Sequence, residues 1–113
     1  MNRRVSLFRW DALELDKVTE MIARKVIPGV NEKLAQTYFK KGALVPQHSH
    51  AGEQMIYVLQ GALRIVADGG EFTVREGEVL VVPAGVPHQS EALDDTFVMD
   101  ALAIPASGDT GIA

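Results

Sequence analysis

The side chains best suited to chemistry lie in one short stretch of this 113-residue chain, "PQHSHAGEQ", residues 46–54. It holds two of the three histidines, His48 and His50, followed by Glu53 and Gln54. In an extended segment, side chains two residues apart point the same way. The Cβ atoms of two such residues are roughly 6.5–7 Å apart, so both imidazoles are able to reach one metal ion. Gln54 shares the register of the histidines and Glu53 does not, although a slip in the loop would change this parity.

Composition limits what kind of protein this is. The formal net charge of −4 comes from mixed acids and bases, which argues against nucleic-acid binding. Cysteine is absent, so a metal would have to be held by histidine, carboxylate, amide or water. No apolar run is long enough for a membrane span, and the N-terminus lacks the apolar stretch of a secretory signal. We expect a single domain, by default cytoplasmic.

The elements that must position these residues are short strands, which together predict an all-β sandwich or barrel. Residues 1–20 favour a loop followed by a strand over a helical turn. Asp68-Gly69-Gly70 is typical of a hairpin turn. The barrel is expected over about residues 20–104, and residues 105–113 form a flexible tail. The predicted strands are "MIARKVI", "KLAQTYF", "QMIYVLQG", "ALRIVA", "EFTVR", "EVLVVP" and "DTFVMDALAI".

Two segments in order resemble the signatures of the cupin superfamily. Residues 42–61, "GALVPQHSHAGEQMIYVLQG", are similar to the first signature, and counting back from Gly61 places its acidic-ligand slot on Gln54. Residues 77–88, "GEVLVVPAGVPH", match the second signature through its histidine, after which Ala92 replaces the usual asparagine. Together the two segments contain every histidine of the chain.

The resemblance implies a double-stranded β-helix, or jelly-roll barrel, with one divalent transition metal inside. Mn, Fe, Co, Ni, Cu and Zn all suit such borderline ligands. A neutral amide in place of the usual glutamate would leave the ion's charge uncompensated and attract anionic oxygen donors. The alternative is that the histidines belong to surface loops and a turn. The implied ligands are His48, His50, Gln54 and His88.

Among cupins, the sequence looks most like the small proteins grouped with the pectin-degradation protein KdgF, which convert 4,5-unsaturated uronates into linear keto sugars. In that group an aspartate, a phenylalanine and an arginine on the last strand assist the metal. Here Asp100 matches the aspartate, Leu102 occupies the phenylalanine position, and Ala106 lies near the arginine position. No lysine or arginine follows Arg75. Asp100 is either a general base inside the barrel or an aspartate at a sheet edge facing water.

Three functions compete. The first is a metal-dependent enzyme that isomerises, tautomerises or cleaves a small oxygen-rich, sugar-acid-like molecule. The second is an iron or manganese dioxygenase, and the third is a ligand-binding module without catalysis. Resemblance also implies a homodimer, in which residues 1–27 pack across a partner and Phe8 and Trp10 make the contacts. The alternative is that these residues cover their own barrel.

Other side chains are less firmly placed by the sequence. The methionines are expected to fill the core, and several polar strand residues have faces that the sequence does not assign. The methionines meant are Met21, Met55 and Met99, which leaves out Met1, and the polar residues are Gln36, Tyr38, Tyr57 and Arg64.

Overall fold

Ten β-strands make up most of residues 4–104, the part of the chain that the computed structural model describes. A 3-10 turn, Trp10–Ala12, precedes them. The predicted flexible tail lies outside the described residues. The strands are β1 (Asp16–Lys17), β2 (Ile22–Pro28), β3 (Glu32–Phe39), β4 (Leu44–His48), β5 (Gln54–Gln60), β6 (Ala62–Ala67), β7 (Gly70–Arg75), β8 (Val79–Val82), β9 (His88–Ala92) and β10 (Thr96–Ala103).

The strands form two antiparallel sheets that face each other as an all-β jelly-roll barrel, as the sequence predicts. One sheet has six strands in the order β1-β2-β3-β10-β5-β8, and the other has four in the order β4-β9-β6-β7. The order is not sequential because the chain crosses repeatedly between the sheets, after β3, β4, β5, β7, β8 and β9. Within residues 4–104, no helix has the length and apolar character needed to cross a membrane.

Part-way along the barrel the inward side chains of the central strands β5 and β10 change from apolar to polar, and on β10 Leu102 beyond Asp100 is apolar again. On β10, Val98 is fully buried in the core, whereas Asp100, the next inward residue, is polar and 5% exposed. On β5, Val58 and Ile56 are buried in the core, and Gln54 is buried beyond them. The apolar end therefore supplies the packing that stabilises the barrel, and the opposite end is left for a functional site.

The expected packing of the methionines was wrong. Met21 and Met55 are 36% and 44% exposed, and Met99 is only partly buried. Met55 and Met99 alternate with buried neighbours on β5 and β10, so they face outward, and Met21 lies just before β2. Hydrophobicity alone misled the prediction, because this sheet is apolar on both faces.

Glycine is required at the turn between β5 and β6. Gly61 has φ +89°, and a Cβ atom there would overlap the backbone of Asp95 and Thr96. Gly77, between β7 and β8, has a similar φ of +83° but open space around it. The two positions therefore separate the cost of a left-handed backbone from the cost of a steric clash.

Replacing each of these glycines by alanine tests that separation. We expect Gly77→Ala to lower the free energy of unfolding by about 1–2 kcal/mol, the cost of the left-handed conformation. Gly61→Ala should cost at least about 3 kcal/mol, because the β5–β6 turn must also move away from Asp95. Urea unfolding measures both, and equal losses would contradict the packing described at Gly61.

Candidate metal centre

A β-bulge at the end of β4 turns His48 into the barrel. Val45 pairs with Ser90 and His48 pairs with His88, so three steps on β4 match two steps on β9. Val45 is buried, and strict alternation from it would send residue 48 outward. The extra residue reverses that parity, which is a common use of a bulge beside a functional site.

His50 is positioned by a tight loop rather than by a strand. Its Nδ1 donates a hydrogen bond to the carbonyl oxygen of Gly52 at 3.0 Å. A Cβ atom on Gly52 would overlap the backbone of Ala103, so only glycine lets this loop lie against the end of β10. The Ala103 amide donates to the Glu53 carbonyl at 2.9 Å. The Glu53 side chain is exposed, and Gln54 is the residue that enters the barrel.

All three imidazole rings are held by the same kind of contact. In each ring Nδ1 lies within hydrogen-bond distance of a backbone carbonyl, which is able only to accept. Nδ1 therefore carries the proton, and Nε2 of the neutral ring carries the lone pair. The pairs are His48 with Pro46 (2.9 Å), His50 with Gly52 (3.0 Å) and His88 with Val86 (3.0 Å).

The three rings converge. Each of His48, His50 and His88 offers one ligand atom, and these atoms all lie within 4.8 Å of one another. Nε2 of His88 is buried and has no hydrogen-bond partner among the described residues. Burial lowers the pKa of His88, and the neighbouring histidines lower it further. The neutral ring that results is the form that binds a metal.

Gln54 brings an oxygen to the same point. Its Oε1 lies 3.0 Å from Nε2 of His50. In the neutral tautomer that has its proton on Nδ1, both atoms carry lone pairs, and a cation between them would relieve their repulsion. Atoms that share one ion at roughly 2.0–2.2 Å lie only about 3–3.5 Å apart, close to the separation of these two atoms. The donor set therefore fits a divalent transition metal.

Asp100 lies immediately behind Gln54. Nε2 of Gln54 donates to Oδ1 of Asp100 at 3.2 Å, and the hydroxyl of Thr37 donates to Oδ2 at 3.1 Å. Burial raises the pKa of Asp100 from its ordinary 3.8 to about 7, against the opposing effect of these two hydrogen bonds and of the positive charges of Arg24 and Lys33. Asp100 thus faces the interior and not water at a sheet edge.

Comparison with known proteins identifies the family. A family model described as "Cupin domain" matches residues 36–105. The chain belongs to the cupin family. The matched region contains all of the histidines and Gln54, so the converging rings lie within the shared domain.

Individual cupins and other relatives support the same fold. The structure of KdgF from Halomonas sp. superposes with a TM-score of 0.82 and 26% sequence identity over 88% of this chain and 94% of that one. Uncharacterized protein MJ1618 of Methanocaldococcus jannaschii is 27% identical over 66% of this chain and 60% of its own length. Homogentisate 1,2-dioxygenase of Rhodopseudomonas palustris is 37% identical over 53% of this chain but only 14% of its own. The matches thus span less than two thirds of these two sequence relatives.

Two basic residues of this cupin that the sequence did not single out lie on the inner side of the six-stranded sheet. Arg24 pairs directly with Thr37 across β2 and β3, so both side chains are on one face. Lys33 is only 8% exposed, and both line a cavity of about 10 Å³ with Gln54 and Asp100. Nε of Arg24 is buried, 3.5 Å from a carboxylate oxygen of Asp16. Positive charge therefore reaches the interior from β2 and β3.

The polar residues whose faces the sequence left open all point away from this interior. Tyr38 and Tyr57 are each 40% exposed on the outer side of the six-stranded sheet. Arg64 alternates with buried Leu63 and Ile65 and binds two glutamates on the outside of the other sheet. Gln36 shares the outward parity of Tyr38. Leu102, at the phenylalanine position of the KdgF group, is buried beside Asp100, and Ala106 lies outside the described residues.

The raised pKa of Asp100 makes the stability of the metal-free protein depend on pH. The folded state holds a proton up to about pH 7 that the unfolded chain releases near pH 4, so stability falls as pH rises through this window. The difference corresponds to about 4 kcal/mol when fully developed. In EDTA, Asp100→Asn should match the wild type at pH 4.5 and exceed its unfolding free energy by about 2–4 kcal/mol at pH 8.

Chemical denaturation across this pH range measures the effect. Glu76→Gln removes one exposed negative charge and should leave the pH dependence within about 0.5 kcal/mol of the wild type. A constant difference between wild type and Asp100→Asn at every pH would contradict the burial of an ionisable Asp100.

Proposed function

We propose that this cupin is a metal-dependent enzyme acting on a small, oxygen-rich acidic molecule of the sugar-acid type. The observation that carries the proposal is the convergence of three imidazoles and the Gln54 oxygen inside the barrel. His48, His50, Gln54 and His88 would hold one divalent ion, drawn from Mn, Fe, Co, Ni, Cu and Zn. When bound, such an ion supplies Lewis-acid polarisation of a substrate oxygen.

The charge of the interior supports an acidic substrate. None of the four ligand side chains is anionic, so the ion's charge is not neutralised by its own ligands. Arg24 and Lys33 add positive charge on the same inner face. These two cations raise the electrostatic potential of the interior, which favours an anionic ligand at the ion.

Asp100 is the proposed proton carrier. A group with a pKa of about 7 is suited to exchange protons near neutral pH. It lines the same cavity as the two cations and contacts the proposed ligand Gln54. Isomerisation, tautomerisation and elimination each move a proton next to a carbonyl or hydroxyl, and one carboxyl group suffices for this. The carbohydrate chemistry of the KdgF group is of this type.

A second candidate is an iron or manganese dioxygenase. It is favoured by the relative named homogentisate 1,2-dioxygenase, which is 37% identical over 62 residues. It ranks lower because that match covers 14% of the relative, and because a neutral amide donates less electron density to a metal than a carboxylate. Oxygen consumption by the iron-loaded protein with homogentisate would support it.

The test of the proposed function is metal content together with turnover. The wild-type protein should contain about one equivalent of transition metal and should convert a 4,5-unsaturated galacturonate monomer, followed by NMR. We expect His48→Ala to lose the metal and at least about 100-fold in turnover. Turnover that persists without metal would refute the proposal, and binding without conversion would instead favour a ligand-binding module.

Arg24→Gln refines the same experiment. This variant should retain the metal but bind glucuronate about tenfold more weakly, because the interior loses one positive charge close to the site. Arg75→Gln, which makes the same change in net charge at an exposed position, is the matched control. Equal weakening in both variants would show that only overall charge matters.

We also propose that the protein is a homodimer through its N-terminal segment. Val5 and Leu7 are 102% and 93% exposed, and Phe8 is 47% exposed. Val5 and Leu7 are thus almost fully exposed, whereas about half of the Phe8 side chain is already covered. The outer side of β5 and β8 offers an apolar counterpart, since Met55 pairs with Val81 there and both are more than two fifths exposed. Burying both surfaces between two copies would remove apolar area from water.

Light scattering tests the dimer. The wild type should have about twice the 12.3 kDa mass of the chain, and the double substitution Val5→Ser, Leu7→Ser should shift it toward the monomer without loss of folding. Leu44→Ser, at a leucine 64% exposed on the other sheet, is the control and should remain dimeric. A monomeric wild type would contradict the proposal.

A further inference from the structure

Gln54 and Asp100 form a buried pair that links the candidate metal centre to the rest of the barrel. They lie on the neighbouring strands β5 and β10 and are 1% and 5% exposed. One amide hydrogen of Gln54 is directed to Oδ1 of Asp100 at 3.2 Å, while its oxygen is directed to His50 at 3.0 Å. The other carboxylate oxygen of Asp100 accepts from Thr37 at 3.1 Å.

This pairing fixes which end of the amide faces the histidines. The amide nitrogen of glutamine only donates, and its oxygen accepts. Rotation of the amide by half a turn would place N–H groups where the lone pairs converge, and a cation would then be repelled. A carboxylate behind the amide accepts a hydrogen bond from the nitrogen and opposes that rotation. It also polarises the amide, which makes the oxygen a stronger ligand.

We propose that Asp100 is a positioning residue for the metal, and that Gln54 and Asp100 together replace a carboxylate ligand. Gln54 has no negative charge, and Asp100 on β10 supplies one behind it. A single hydrogen bond separates that charge from the residue that would contact the ion. This role rests on the proposed metal site and is separate from proton transfer by Asp100. The proposal predicts that moving the carboxylate to position 54 and the amide to position 100 preserves metal binding. In that variant the amide at position 100 would donate its hydrogen bond to the carboxylate at position 54.

The test compares Asp100→Asn, Gln54→Glu and the double variant Gln54→Glu, Asp100→Asn. Calorimetric titration of the metal-free proteins with Zn²⁺ gives affinities, and the visible spectrum with Co²⁺ reports the ligand arrangement. Asp100→Asn should weaken Zn²⁺ binding about 10–100-fold, the usual loss when the partner of a ligand is removed. Gln54→Glu places two carboxylates in contact and should not bind Zn²⁺ more tightly than the wild type.

The double variant should restore Zn²⁺ affinity to within about threefold of the wild type, giving strong non-additivity between the two substitutions. Ser90→Ala removes a buried hydroxyl that has no hydrogen-bond partner among the described residues, so it is the control and should leave affinity unchanged. Affinity of the double variant equal to the product of the two single losses would overturn the inference, as would wild-type affinity and Co²⁺ spectrum in Asp100→Asn.

These outcomes are distinct from a failure of the proposed function. If the wild type binds Zn²⁺ but converts no sugar acid, the positioning role is still tested in full by the affinities. If the double variant regains Zn²⁺ and still lacks turnover, Asp100 has both roles. A wild type that binds no Zn²⁺ would overturn the metal site and the positioning role together.

Discussion

Several lone pairs aimed at one buried point are the constraint on which the rest of this structure depends. Backbone carbonyls hold the proton of each imidazole on Nδ1, so the Nε2 atoms and the Gln54 oxygen turn electron pairs toward each other. Without a positive charge this arrangement is unfavourable, and the bonds to the backbone carbonyls and to Asp100 hold it in place only if the surrounding strands are rigid. The apolar half, packed around fully buried Ile56 and Val98, supplies the rigidity that this requires.

Much of the architecture could be predicted from the sequence. The alternation of apolar and polar residues, together with the turn residues, correctly predicted seven of the strands. At the predicted hairpin, Asp68 and Gly69 both have the positive φ angles that such turns require. β4 and β9 were not singled out, although they carry His48 and His88. The proline in β4 and the short, polar sequence of β9 lack the alternation that marks a strand. Their pairing with each other is long-range, and local pattern does not contain it.

The inner and outer faces of the six-stranded sheet were harder to assign. β3 alternates Lys33, Ala35, Thr37 and Phe39 with Leu34, Gln36 and Tyr38, and the two sets are about equally apolar. Only the tertiary structure shows that the first set is inside. For that reason the sequence missed Lys33 and Arg24, and placed Met55 inside. The approximate grouping of His48, His50 and Gln54 followed from parity, but the contact of Gln54 with Asp100 depends on how β5 and β10 pair.

The bulge between Val45 and His48 also determines how this barrel responds to a change in length. A substitution at Pro46 or Gln47 keeps the number of residues, and the imidazole that follows stays inside. Loss of one of these two residues would remove the extra residue and restore regular pairing with β9, and the imidazole would still lie opposite His88. This part of β4 can therefore differ in length by one residue and keep its side chain inside, whereas the same change in a regular strand would turn every following side chain to the opposite face.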